Sequence, residues 1–389
     1  MNAKLWAVVA VMIVTLSASG LLLEGNSANR DDKIVITARV NVEGSGIFYG
    51  GDPTELVNRD GVNFAGFNKE GWKGKIFMTP GETTIQHTML AEIVNDFGEG
   101  WRFLENDPGN NPSGNCVFYQ IVTPNNMKKT FNNGIPGLYA DGGIIWESYY
   151  TDILVNSSRS VSEVVQTGEI APDHACCVVA VNRTFAENSP EAVSRFLAAY
   201  TVAVDWVINA LAHPSTSVES DYYELVTIAM EYTNASNRAA VEDAFSNVKY
   251  LYEIGELRND IANLVTQYQG LAKNPLRFTP EELGFEDTAD FANWLVDDKY
   301  LESSRYIRLH PEELSDWKSI DLAVLTGDIH QVAAQVAKVK GIFRDYKVSV
   351  NLFEQTAGGD VMKQLIAGNV DIGFCGAPPA VINTINMFR

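Results

Sequence analysis

The chain is short of cysteine, of cationic side chains and, past its first two dozen residues, of long uncharged runs, and each shortage excludes a class of protein. Four cysteines, Cys116, Cys176, Cys177 and Cys375, are too few and too scattered among 389 residues for a disulfide scaffold, so an apolar core must hold the fold. Lys and Arg total 29 against 49 Asp and Glu, a formal charge of −20, and no basic run occurs. Phosphate backbones are bound by clustered Lys and Arg, so nucleic acid is excluded as a partner. The Gly-x-Ser-x-Gly elbow, the P-loop and the paired-histidine metal motif are missing too, and the chain reads as a non-enzyme with no cofactor and no metal ligands. After residue 23 every apolar stretch is interrupted by charge, which predicts no later membrane span.

What is present begins with Lys4, followed by an uncharged stretch over 5–23 that includes small residues at Ser17, Ala18, Ser19 and Gly20. That is the pattern of a secretory signal, with an uncleaved membrane anchor as the alternative because the stretch approaches the ~20 residues of a spanning helix. Either places the folded part on the exported side, where the sequons at Asn156, Asn182 and Asn234 also fit.

At this length, with 46% hydrophobic residues, two globular lobes are expected. Residues 33–40 read as a strand running into the glycine turn Glu43-Gly44-Ser45-Gly46, 74–78 as a strand, and 82–97 as a helix with apolar Ile85, Met89, Leu90 and Ile93 on one face. Strands at 117–122, 143–146 and 176–182 alternate with helical pattern, which predicts βαβ units and a mostly parallel sheet in each lobe. Adjacent Cys176 and Cys177 on a strand point to opposite faces and read as two separate buried thiols. Long amphipathic helices follow at 190–212, 220–232, 238–253 and 259–272, and their aliphatic stripes read as packing. Alternation returns with strands at 320–325, 348–353 and 371–374 and helices at 329–340 and 360–367. That block is a doubly wound half-domain whose ligand site belongs at the carboxyl ends of its strands.

The runs Leu322-Ala323-Val324-Leu325-Thr326-Gly327-Asp328, Gly358-Gly359-Asp360-Val361-Met362, Gly368-Asn369-Val370-Asp371-Ile372-Gly373 and Gly376-Ala377-Pro378-Pro379 resemble the nitrate, sulfonate and taurine branch of periplasmic solute-binding proteins, which also includes binders of thiamine precursors. Gly44-Ser45-Gly46-Ile47, Thr79-Pro80-Gly81-Glu82-Thr83-Thr84 and Trp146-Glu147-Ser148-Tyr149 match in the other half. The resemblance implies a type II binding-protein fold with added helices, a small-molecule ligand held between the lobes, and an ABC permease as partner. In that family the Thr-Gly-Asp strand opens the mature protein, whereas here the block carrying it comes last. Reading from Phe388-Arg389 into Asp31-Asp32-Lys33 restores the usual order, so a circularly permuted chain is expected. The expected division is a signal or anchor over 1–30, a first lobe from 31–46 and 173–389 (helical over 188–300, βαβαβ over 320–389), and a second lobe over 47–172. A monomer is expected, with a dimer exchanging its C-terminal block as the alternative.

Turns at helix N-termini offer unpaired N–H donors and the positive end of the dipole to an oxyanion. Combined with the family positions, they nominate Ser45, Gly46, Thr83, Thr84, Trp146, Glu147, Thr326, Gly327, Asp328, Gly358, Gly359 and Gly376 as ligand contacts. The carboxylates Glu82, Glu147 and Asp328 near that cleft suit a zwitterion such as taurine better than a bare anion. His330 reads as a solvated or capping residue. Two other classes stay open: an enzyme resembling the pyrimidine synthase of thiamine biosynthesis, of which His174-Ala175-Cys176-Cys177 carries a faint likeness, and a ligand sensor tethered by residues 5–23.

Overall fold

A computed structural model describes residues 33–58, 66–134, 139–271 and 273–388. The signal over 5–23 and the join of Arg389 to Asp31 lie outside them.

Among the described residues, twelve strands form two six-stranded mixed sheets. The first contains β1 (Ile34–Glu43), β8 (Ala175–Asn182), β9 (Val248–Tyr250), β10 (Lys318–Leu325), β11 (Val348–Gln355) and β12 (Ile372–Gly376), in the order β11-β10-β12-β8-β1-β9. The second contains β2 (Ser45–Tyr49), β3 (Ile76–Thr79), β4 (Arg102–Glu105), β5 (Cys116–Ile121), β6 (Gly142–Trp146) and β7 (Ser162–Gln166), in the order β4-β5-β3-β6-β2-β7.

Both sheets share one plan. Parallel strands run side by side, β11-β10-β12 in one and β5-β3-β6 in the other; the next strand, β8 or β2, is antiparallel to both its neighbours. The expectation of mostly parallel sheets is met in the second, where β4, β5, β3 and β6 run parallel, and corrected in the first, where β12-β8, β8-β1 and β1-β9 are all antiparallel. β2 and β8 are the strands on which the chain arrives from the other sheet, and a strand entering from the cleft side must run against strands that end there.

The chain changes sheet at Gly44, between β1 and β2, and again between β7 and β8. The two crossings touch: Thr167 Oγ1 donates to Ser45 O (3.0 Å), Asp173 N donates to Glu43 Oε1 (2.7 Å), and Lys249 Nζ pairs with Glu43 (2.9 Å) and Asp173 (3.2 Å).

Every residue of β1 is buried, because it lies between β8 and β9 under helices. β9 corrects the helix expected over 238–253: that helix stops at Ser246, and Val248 and Tyr250 turn inward with Lys249 outward, the period of a strand. The helix Pro190–Ala212 is long and apolar enough to cross a membrane by length and mean hydropathy, which corrects the reading that no such segment follows residue 23. Its apolar face is spent in the core beside the first sheet. Phe196 is fully buried, stacked on Tyr200 (6.1 Å) and Phe343 (5.5 Å) and edge-on to Phe374 (6.1 Å). The ends of the described chain meet beside the first sheet: Lys33 Nζ donates to Met387 O (2.8 Å) and lies over the Phe388 ring (5.7 Å).

One buried carboxyl is an energetic liability. Glu92, on the helix Ile85–Asp96, has an Oε1 with no hydrogen-bond partner, and burial, reinforced by nearby Asp96, pushes its carboxyl up to about 7. The folded chain holds this proton more tightly than the unfolded chain does, so the stability it contributes is full below about 4.5 and is lost as pH rises through 7. Glu92→Gln should therefore stabilise the protein at pH 8 by up to about 3 kcal/mol and change little at pH 4.5. Urea denaturation at the two pH values checks this; an equal gain at both would refute the assignment to ionisation.

Candidate functional site

Between the two sheets lies a cavity of about 30 Å³. Thr84, Ile85, Gln86 and Trp146 line it from the side of the second sheet, and Cys176, Cys177, Leu325, Asp328, His330, Gly358, Gly376 and Pro379 from the side of the first. Three helix N-termini border it. Thr84 caps Ile85–Asp96, accepting from His87 N (3.3 Å) and donating to Gly81 O (2.8 Å). Gly358 opens Gly358–Ile366, and Gly376 precedes Ala377–Asn386, with Pro378 and Pro379 in its first turn.

Of the twelve nominated residues, the structure brings Thr84, Trp146, Asp328, Gly358 and Gly376 to the cavity wall. Ser45 stands one step behind, accepting from Gln86 Nε2 (2.8 Å). The other six are not among the residues lining it. Gly46 is glycine because a Cβ there would meet the Tyr150 ring at 2.2 Å. Thr326 O accepts from Tyr149 (2.9 Å), and Gly327 packs against the same hydroxyl, so both belong to the seam between lobes. Thr83 and Gly359 face one another across that seam.

Glu147 is fully buried, with its carboxylate occupied by Thr151 N (3.2 Å), Thr151 Oγ1 (3.0 Å) and Asn247 Nδ2 (2.7 Å). Burial pushes it up to about 7 against these donors, and its work is to tie the second lobe to Asn247 of the first. Glu82 is likewise engaged, by Lys273 (2.5 Å) and Tyr119 (2.5 Å). Only Asp328 of the three suspected carboxylates faces the cavity, which removes most of the reason for a zwitterion.

The sequence reading missed the residues at the first-lobe wall. His330 is neither solvated nor a cap; it is fully buried, because the segment after β10 folds inward under Tyr250, whose hydroxyl donates to Ile329 O (2.8 Å). Asp328 Oδ1 lies 2.9 Å from His330 Nδ1, but out of line for a hydrogen bond, and neither ring nitrogen has a hydrogen-bond partner. Burial pulls the imidazole down, and Asp328 and Cys176 more than offset it, raising it to about 9.

Cys176 and Cys177 do not point to opposite faces. The β1–β8 ladder passes from Asn41↔Cys177 to Val42↔Ala175, leaving Cys176 as an extra residue in a bulge, and the two Sγ atoms come within 3.9 Å. Asn41 fixes the bulge by accepting from Cys177 N (3.2 Å). Trp146 Nε1, across the cavity, is also buried without a partner.

No protein-family model and no curated protein sequence matches the chain. Two solved structures are similar at low identity. One is the ligand-binding component of an ABC-type import system from Staphylococcus aureus with zinc bound: 14% identity over 61% of this chain and 67% of that one, TM-score 0.41. The other is the periplasmic nitrate-binding protein NrtA from Synechocystis PCC 6803: 13% identity over 72% of this chain and 69% of that one, TM-score 0.48.

Proposed function

We propose that the chain is an extracytoplasmic solute-binding receptor of an ABC importer, whose lobes close on a small ligand and present the closed form to a membrane permease. The observation that carries this reading is the cavity walled from both sheets, with two chain crossings among the described residues beside it to act as a hinge. The matching plan of the two sheets supports a type II architecture, with lobes divided near Gly44 and between β7 and β8. The placement of Lys33 beside Phe388, and of the C-terminal strands β10, β11 and β12 where an opening block would pair, supports a circular permutation within one chain.

Three helix N-termini favour an anionic ligand group. The small space between the walls, about 30 Å³, favours a ligand of few atoms over an aminoalkyl sulfonate. Calorimetric titration with nitrate, bicarbonate, taurine and alkanesulfonates, paired with small-angle scattering, tests the reading. Saturable binding of one of them, accompanied by compaction, is expected; no binding and no compaction with any of them sinks it.

A further inference from the structure

We infer that the first-lobe wall of the cavity is a site for one thiophilic metal ion of the zinc type, ligated by Cys176 Sγ, Cys177 Sγ and a ring nitrogen of His330. The three donors lie within 4.8 Å of one another, all buried. Two thiolates on one tetrahedral zinc, at about 2.3 Å each, stand about 3.8 Å apart. The sulfurs here are 3.9 Å apart without any rearrangement.

The arrangement is not what a strand supplies by default. Successive side chains on a regular strand diverge, and only the bulge held by Asn41 turns both thiols to one side. The imidazole gives a second, independent observation: Asp328 stands against Nδ1 (2.9 Å), while Nε2 is buried without a partner, which is costly unless something else engages it. Thiolate and imidazole together select zinc-like or cuprous ions over magnesium or calcium. Three protein ligands leave a fourth position, as in zinc sites that keep one open for an exchangeable group. Here it would face the second lobe, where Trp146 Nε1 and the N-terminus of Ile85–Asp96 offer donors to an anion on the metal. Binding converts each coordinating thiol to a thiolate, and the displaced protons pass to solvent.

All three ligands belong to the first lobe, so the site does not depend on the receptor reading. The experiment is anaerobic titration of the reduced full chain with Zn²⁺ against a chromophoric chelator, repeated with Co²⁺ to read thiolate-to-metal charge-transfer absorption. One equivalent of zinc, a charge-transfer band with cobalt, and proton release that varies with the buffer's ionisation enthalpy are expected. Cys176→Ser and His330→Ala should each weaken binding at least ~100-fold. Cys177→Ser should reduce the cobalt band, and Cys116→Ser, in β5, should change nothing; circular dichroism establishes that each variant is folded. Substoichiometric zinc, a wild-type cobalt complex without the band, or affinity unchanged in Cys176→Ser overturns the site. So does a Cys176–Cys177 disulfide whose reduction yields no zinc binding. Stoichiometric zinc with no compaction by any of the anions would count against the receptor reading alone, and compaction with nitrate but no stoichiometric zinc against this inference alone.

Discussion

Gly44→Ala is expected to cost about 2 to 5 kcal/mol, charged to the hinge and the cavity together. Gly44 has φ of +87°, where an L side chain costs about 1–2 kcal/mol. Its Cβ would also meet His330 Nε2 at 2.2 Å and Val248 Cγ2 at 3.1 Å, an overpacking worth about 1–3 kcal/mol. His330 cannot retreat easily, being enclosed between Asp328 and the thiols. For the receptor proposed above, only the share of this cost that differs between open and closed forms reaches affinity, at tenfold per about 1.4 kcal/mol, which sets a few thousand-fold as the upper bound of the loss. The steric and backbone parts separate in a double-mutant cycle on stability: His330→Ala should relieve the clash and leave the φ cost, giving a coupling of about 1–3 kcal/mol. Strict additivity in urea denaturation would show that the two residues do not meet.

Phe196→Ala should be the most destabilising single truncation outside the cavity, at about 3–5 kcal/mol, because a fully buried ring is removed from a stack it shares with Tyr200, Phe343 and Phe374. Two of those partners lie in the block from Lys318 onward, so the variant should also loosen that block's grip on the long helix Pro190–Ala212. Urea midpoints with matched slopes measure the first effect, and limited proteolysis C-terminal to Lys318 the second. The same denaturation run at several protein concentrations bears on segment exchange: a chain that supplies its own block has a midpoint independent of concentration. A loss below about 1 kcal/mol would mean the core collapses around the missing ring.

Strands with buried apolar runs were legible from those runs: 176–181 and 322–325 lie within β8 and β10. Helices with strong caps, such as Ser220 before Asp221–Thr233, were placed to within a residue. β2 was hidden because Ser45-Gly46-Ile47-Phe48-Tyr49 begins with turn residues, and its glycine serves Tyr150 rather than a turn. Of the site, the helix N-termini could be read, since Thr84, Gly358 and Gly376 carry local signals. The glycines at 46, 327 and 359 carry the same signals for packing between lobes, and nothing local tells the two uses apart. Cys176, Cys177 and His330 were unreadable for a different reason: their convergence depends on a register shift against Asn41, more than a hundred residues away, and on the inward fold of the segment after β10.

The way β1 is sandwiched also dictates an order of assembly. The second sheet draws all its strands from one unbroken stretch, Ser45 to Gln166, and can form as soon as that stretch is free. The first sheet needs strands from Ile34 to Gly376, and Lys33 must find Met387. Loop-closure entropy on that scale is met before any contact rewards it. During synthesis the second sheet can therefore be complete while β1 still waits unpaired for β8 and β9, and the first sheet stays open at β8 until β10, β11 and β12 arrive, an interval in which its unpaired edges are exposed to aggregation.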